Sequence, residues 1–171
     1  GTSGRIAYLV AERFNKILSE TLHRKPVFSY CCAGGDSALL LSDELPEDSP
    51  IEGIRDYCSA VDRIQSTVGG MMNKSCYVAV TCGLSAPYCA GPVVATLAPE
   101  CFSLSPLSTL TSRSIGLVGF NPAHLARNVT IRQLQSLAGD ATSDLGHLST
   151  FRDLVLLLND KSKDFVEESD S

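Results

Sequence analysis

Hydrophobic residues recur at helical spacing from the start of the chain. Ile6, Leu9, Val10, Phe14, Ile17, Leu18 and Leu22 share one face of a helix predicted over 5–22, with Glu12, Arg13, Lys16 and Glu20 on the other. The period then changes. Val27, Phe28, Tyr30 and Cys31 form an apolar, β-branched and aromatic run that predicts a strand over 26–32. Ala33-Gly34-Gly35-Asp36-Ser37 predicts a tight turn, and the leucines after it a helix from about 36 to 43. Residues 44–50 read as an acidic loop with two prolines. Over 51–72, Ile54, Tyr57, Cys58, Val61, Ile64, Val68 and Met71 make a second helical stripe, which Gly69-Gly70 ends or frays.

The second half is less periodic. The unbroken apolar run 75–81 suits a strand buried on both faces, as in a parallel sheet. Residues 82–112 carry Pro87, Pro92, Pro99 and Pro106 and read as a long loop, with 92–97 as a short strand inside it. Residues 114–120 predict another strand, 128–134 an edge strand, Gly139-Asp140 a turn and 149–159 a strongly apolar helix. Alternating helices and buried strands predict a three-layer α/β/α sandwich with a mixed, mostly parallel sheet. The expected organisation is one domain over 5–159 and a disordered acidic tail over 160–171, with Gly1-Thr2-Ser3-Gly4 a frayed end.

Composition narrows the function classes. The 171 residues are 44% hydrophobic and 19% charged, which is globular, and the net charge of −5 argues against nucleic-acid or anionic-membrane partners. No apolar run is long enough to span a bilayer and nothing resembles a signal peptide. The seven cysteines are Cys31, Cys32, Cys58, Cys76, Cys82, Cys89 and Cys101. Their odd count, with Cys31, Cys58 and Cys76 on apolar faces, reads as free buried thiols in a reducing cytoplasm, with loop residue Cys89 the most reactive. Neither a CxxC pair nor clustered histidine is present, so no metal site and no cofactor is expected.

The candidate chemistry centres on the turn after the first predicted strand. Gly34-Gly35 permits close backbone approach, and the amides that follow favour an anion or a polarised oxygen. The same residues serve equally as a plain turn with Asp36 or Ser37 as helix cap. Cys31-Cys32 beside a helix start is a candidate activated thiolate, without a histidine base that spacing can pair with it. Ala33-Gly34-Gly35-Asp36-Ser37 also resembles the SGGxDS loop of ATP pyrophosphatases, one residue short.

The order of pieces resembles the C-terminal domain of CinA, the competence/damage-inducible family that includes nicotinamide-mononucleotide amidohydrolases. Ser29 to Gly35 stands where that family has AESCTGG, and Tyr77 to Pro87 resembles ALAVTGIAGP. Arg113 to Phe120 resembles KPVGTVWF, with Gly91 to Val94 a competing match, and Gly139-Asp140-Ala141 stands for GDR. The resemblance implies ligand contacts at Cys32, Ala33, Gly34, Gly35, Ser37, Thr81 and Gly83, a nicotinamide nucleotide as partner and a homo-oligomer. It leaves two placements for the catalytic segment. In one, Ser49 is the nucleophile and Tyr57 opens the YSNxxK segment, whose lysine is then Asp62; in the other, 51–72 is the helix before the central strand and the segment is deleted. The helical stripe favours the second. Either way the lysine base is missing, so the resemblance implies a divergent member without standard amidase activity that retains a nucleotide-binding turn, the alternatives being an active nicotinamide-nucleotide amidohydrolase and a non-catalytic oligomerising or interaction module.

Overall fold

The computed structural model describes residues 1–41, 45–69, 72–102, 104–122, 125, 148, 150–158 and 160. They form an α/β fold consistent with the expected sandwich class: helices packed with a parallel pair of strands. The chain runs through α1 (Thr2–Leu22), α2 (Ser37–Leu40), a 3-10 turn (Leu45–Asp48) and α3 (Pro50–Val68) to β1 (Lys74–Val80). It continues through α4 (Pro87–Leu97), a second 3-10 turn (Pro99–Phe102) and α5 (Ser105–Ser108) to β2 (Ser112–Val118). Residues 151–158 form a further helix, α6. The predicted edge strand 128–134, the turn at 139–140 and all but the first residue of the tail lie outside the described residues.

The two amphipathic helices form where their stripes predict them. Ser49 opens α3 by accepting the Glu52 amide at 3.2 Å, Pro50 occupies the first turn, and Gly69 closes the helix with φ 67°. Thr150 and Asp153 exchange side-chain and backbone bonds at 3.0 and 3.1 Å at the start of α6. β1 and β2 pair in parallel from Lys74 opposite Ser112 to Val80 opposite Val118.

Three expectations are corrected. Residues 26–32 form no strand. Their pairing groups are engaged by a side chain instead: Asn15 accepts the Val27 and Phe28 amides at 3.1 and 3.0 Å and donates to the Phe28 carbonyl at 2.9 Å. β1 is buried on one face only, with Tyr77 and Ala79 inside and Cys76 and Val78 outside. And 82–112 is largely helical. Its prolines sit where helices accept them, Pro87 and Pro106 in first turns and Pro99 opening a 3-10 turn, so they start elements rather than break them.

Pro92 alone lies inside a helix, so 92–97 is the second half of α4 and no strand. Period cannot separate a short buried strand from a buried helix, and the nearly all-round burial of α4 explains the ambiguity. Pro92 leaves the Tyr88 carbonyl without its helical donor. Gly53 of α3 covers that oxygen: a Cβ on Gly53 would collide with it. One turn on, a Cβ on Gly91 would collide with the Pro50 carbonyl. Two glycines, one per helix, thus set a backbone-to-backbone crossing of α3 and α4. The core lies around it, with Ile54, Tyr57, Val61, Val93, Val94, Leu107, Phe151 and Leu154 buried in one cluster.

Candidate functional site

The parallel strands end in a shaped loop. Beyond β1 the ladder continues as Thr81 N–H donates to Val118 O at 2.9 Å, and Phe120 N–H to Cys82 O at 3.2 Å. Between these bonds the chain turns on itself, closed by Leu84 N–H to Thr81 O at 3.3 Å, with Leu84 at φ 50°. A buried leucine in the left-handed region is strained, and such strain persists where surroundings enforce it. The enforcing neighbour is Gly119, since a Cβ there would stand 2.6 Å from Leu84 Cδ2 and 2.8 Å from Thr81 O. Asn121 Nδ2 donates to Gly83 O at 3.4 Å, and Ser85 Oγ lies 3.0 Å from where a Gly83 side chain would begin.

The loop delivers the chain into α4. Ala86 is the N-cap and provides no side-chain bond. The amides of Ser85, Ala86 and Tyr88 have no partner among the described residues. They lie beyond the C-terminal end of β1, where open α/β folds hold ligands and where a helix N-terminus favours an anion. The first turn of α1 meets this loop: Ser3 Oγ lies 3.4 Å from Cys82 Sγ, and a Cβ on Gly4 would collide with Cys32 Sγ. Glu47, on the 3-10 turn beside α4, lies close to both Cys32 and Cys89. Burial first, and then the Glu47 carboxylate, push the Cys89 thiol up to about 12; burial also raises Cys32, with Glu47 adding to it. Burial chiefly raises the Cys31 thiol, also to about 12. Behind the loop, buried Tyr88 donates its hydroxyl to Asp56 Oδ2 at 2.5 Å, which ties the first turn of α4 to α3.

The residues singled out from sequence separate into three places. Cys32, Thr81 and Gly83 flank the junction of the loop with α1. Gly34 and Gly35 take φ 85° and 66°, as a tight turn requires, and Ser37 Oγ donates back to Gly34 O at 2.9 Å; Ala33 is buried beside them. Gly34 faces Ala38 and Pro46, while Gly35 faces open space. Ser49 is a helix cap, and Tyr57 is a buried core residue whose hydroxyl lies 3.3 Å from Ser75 Oγ and whose ring packs 4.9 Å from that of Tyr77. Eight residues apart on one helix, Ser49 and Tyr57 stand about 12 Å apart along its axis. Neither can share a reacting atom with the other. Raised thiols at Cys31 and Cys32 run against the activated-thiolate reading.

Sequence reasoning missed Ser3, Glu47, Ser85 and the start of α4. Its one readable signal was Ala86-Pro87, a proline at a first helical position. All seven cysteines are free; Cys31 and Cys58 are shielded as expected, but Cys76 is exposed and Cys89 is partly buried within α4, the opposite of expectation for those two, and Cys82 is exposed. Among the described residues no group of three His, Cys, Asp or Glu could hold a metal ion, and no helix is long and apolar enough to cross a membrane.

Comparison with known proteins gives the lineage. Residues 1–97 match the family model described as the glucokinase regulatory protein N-terminal SIS domain. The glucokinase regulatory protein of Xenopus laevis is 32% identical over 169 residues, 97% of this chain and 22% of that protein. The human protein is 33% identical over 136 residues, 80% of this chain and 19% of its own length. The chain therefore spans about a fifth of these relatives. The resemblance to CinA is overturned by these matches, and amidohydrolase chemistry, a nicotinamide nucleotide partner and the homo-oligomer inferred from it fall with it. The weak motifs behind it were a glycine turn and an apolar strand, which many α/β folds share. This chain belongs to the glucokinase regulatory protein family, through its N-terminal SIS domain.

Proposed function

We propose that the chain is part of a regulatory module that acts on a sugar kinase of the glucokinase class and is itself governed by a phosphate ester bound at the Thr81–Tyr88 loop. The observation that carries the reading is one loop at the C-terminal edge of the parallel strands that begins at Cys82, beside Ser3 of α1, and ends in the uncapped start of α4. Free amides at Ser85, Ala86 and Tyr88 suit phosphate oxygens, and the Ser3 and Ser85 hydroxyls add donors. Glu47 supplies an acceptor for hydroxyls on the remainder of the ligand. A kinase of this class releases a hexose phosphate, which makes glucose 6-phosphate the first probe. Among the earlier site residues, Cys32, Thr81 and Gly83 belong to this reading; Gly34, Gly35 and Ser37 remain a separate proposal for a second anion-contacting turn. We place the protein in a reducing cytoplasm, since seven free thiols suit one, and take 5–159 as one unit within a longer protein.

Calorimetric titration tests the site. Glucose 6-phosphate should bind the wild type, and Ser3→Ala and Glu47→Gln should each weaken it by about tenfold with melting temperature unchanged. Equal affinity in all three proteins would remove the site, and a kinase pull-down then tests the partner half alone.

A further inference from the structure

A second place on the molecule holds unmet charge. A groove of ≈ 460 Å³ opens between α1 and α2, lined by Arg5, Tyr8, Leu9, Asp36, Leu39 and Leu40. The Nε of Arg5 is sealed from solvent and has no hydrogen-bond partner. Nor does its guanidinium form an ion pair among the described residues. A buried donor left unpaired is costly, and the same residue lines the groove with its charge unmatched by any carboxylate among the described residues. The wall from α2 carries Asp36. Its Oδ1 accepts the Tyr30 hydroxyl at 2.7 Å, and its Oδ2 has no partner among the described residues. Tyr30 is itself braced edge-on by Tyr8, with ring centroids 5.0 Å apart. Leu9 and Leu40 are exposed apolar surface on the two walls.

This combination selects a ligand class. An anion alone would satisfy Arg5 but face the Asp36 carboxylate. A hydrocarbon alone would cover the leucines and leave Arg5 unpaired. We propose that the groove binds a zwitterionic apolar α-amino acid, with its carboxylate on Arg5, its ammonium on Asp36 and its side chain against Leu9, Leu39 and Leu40. The Arg5 fork matches a carboxylate in two-point geometry, and Asp36 Oδ2 is a free acceptor for an ammonium. The site shares no residue with the loop at the end of β1 and stands independently of it.

Leucine is the probe. Nine non-hydrogen atoms in an open groove set a dissociation constant of about 1 mM. Binding is read by calorimetry and by tyrosine fluorescence, which Tyr8 and Tyr30 report in a chain without tryptophan. Arg5→Gln and Asp36→Asn should each weaken leucine by about tenfold, with unchanged thermal melts. Arg5→Lys, which keeps charge but loses the fork, should fall between. 4-Methylpentanoate and isoamylamine, each with one charge removed, should bind about tenfold more weakly than leucine. Absence of saturable binding at about 20 mM leucine, equal affinity in Arg5→Gln, or analogues as tight as leucine would each overturn the proposal.

Discussion

The molecule has two regions built on different terms. Around α3, α4 and the sheet, backbones touch at Gly53 and Gly91, and Val93, Val94, Leu107, Phe151 and Leu154 are 0% exposed. Around α1 and the segment to Leu41, apolar side chains face outward: Leu40 is 85% exposed, Leu41 76% and Leu9 62%, and of α1 only Ala11 is buried. That region is held by discrete polar clamps. Asn15 binds the 27–28 backbone, Lys25 Nζ donates to Thr67 O and Val68 O at 3.0 and 3.3 Å, and Arg63 donates to Ser29 Oγ at 3.3 Å. Stacked Phe14 and Phe28, 5.1 Å apart, add a small apolar patch. Packing fixes the first region and hydrogen bonds locate the second, so the two should fail differently.

The largest expected effect lies in the packed region. Phe151→Ala removes a fully buried ring and should cost about 4 kcal/mol in chemical denaturation. Gly91→Ala comes next. It pushes a methyl into the Pro50 carbonyl and should cost about 3 kcal/mol, the upper end of overpacking effects. A tolerated Gly91→Ala would mean that the crossing is not as close as described. In the clamped region, Asn15→Ala should cost about 1.5 kcal/mol globally but sharply raise amide exchange at Val27 and Phe28. Global loss without local exchange would erase the distinction between the regions.

A pH series sharpens the same contrast. Burial raises Cys31 and Cys89 from an ordinary 9.0 to about 12, so the folded state holds these protons more tightly than the unfolded chain. Their stabilisation is complete below pH 9 and is lost as pH rises toward 12. Cys89→Ala should flatten that decline in an alkaline melting series; an unchanged slope would contradict the burial of Cys89. The smallest perturbation is chemical labelling. Brief alkylation followed by mass spectrometry should modify exposed Cys76 and Cys82 before Cys31 and Cys89.

Much of the fold is legible in the residues, and the illegible parts have physical causes. Helical stripes announce α1 and α3, whereas the cap that Ser49 gives α3 lies inside the stretch that reads as an acidic loop. The alternation of helix with apolar strand gives the α/β class. The 26–32 run has strand chemistry, yet a strand needs a partner, and Asn15 takes that place; no local pattern announces a side chain thirteen residues away. α4 is disguised because Val93-Val94 favours strands while Ala90, Gly91 and Ala95 serve close helix packing, a choice made by Gly53 across the crossing. The candidate site was half legible. Thr81 and Gly83 stand out at a strand end, whereas Ser3 and Glu47 come from distant stretches that only the tertiary fold gathers. Ser49 and Tyr57 show the opposite error, in which reactive residue types serve as a cap and a core ring.

The proposal with most at stake is that the loop after β1 is the primary phosphate-ester site, with the Gly34-Gly35 turn no more than a second contact. Amide chemical-shift mapping during a glucose 6-phosphate titration tests it most directly. Shifts are expected at Cys82 to Cys89 and at Ser3, saturating together on one binding curve. Shifts confined to Gly34 through Ser37, with the loop silent, would contradict it.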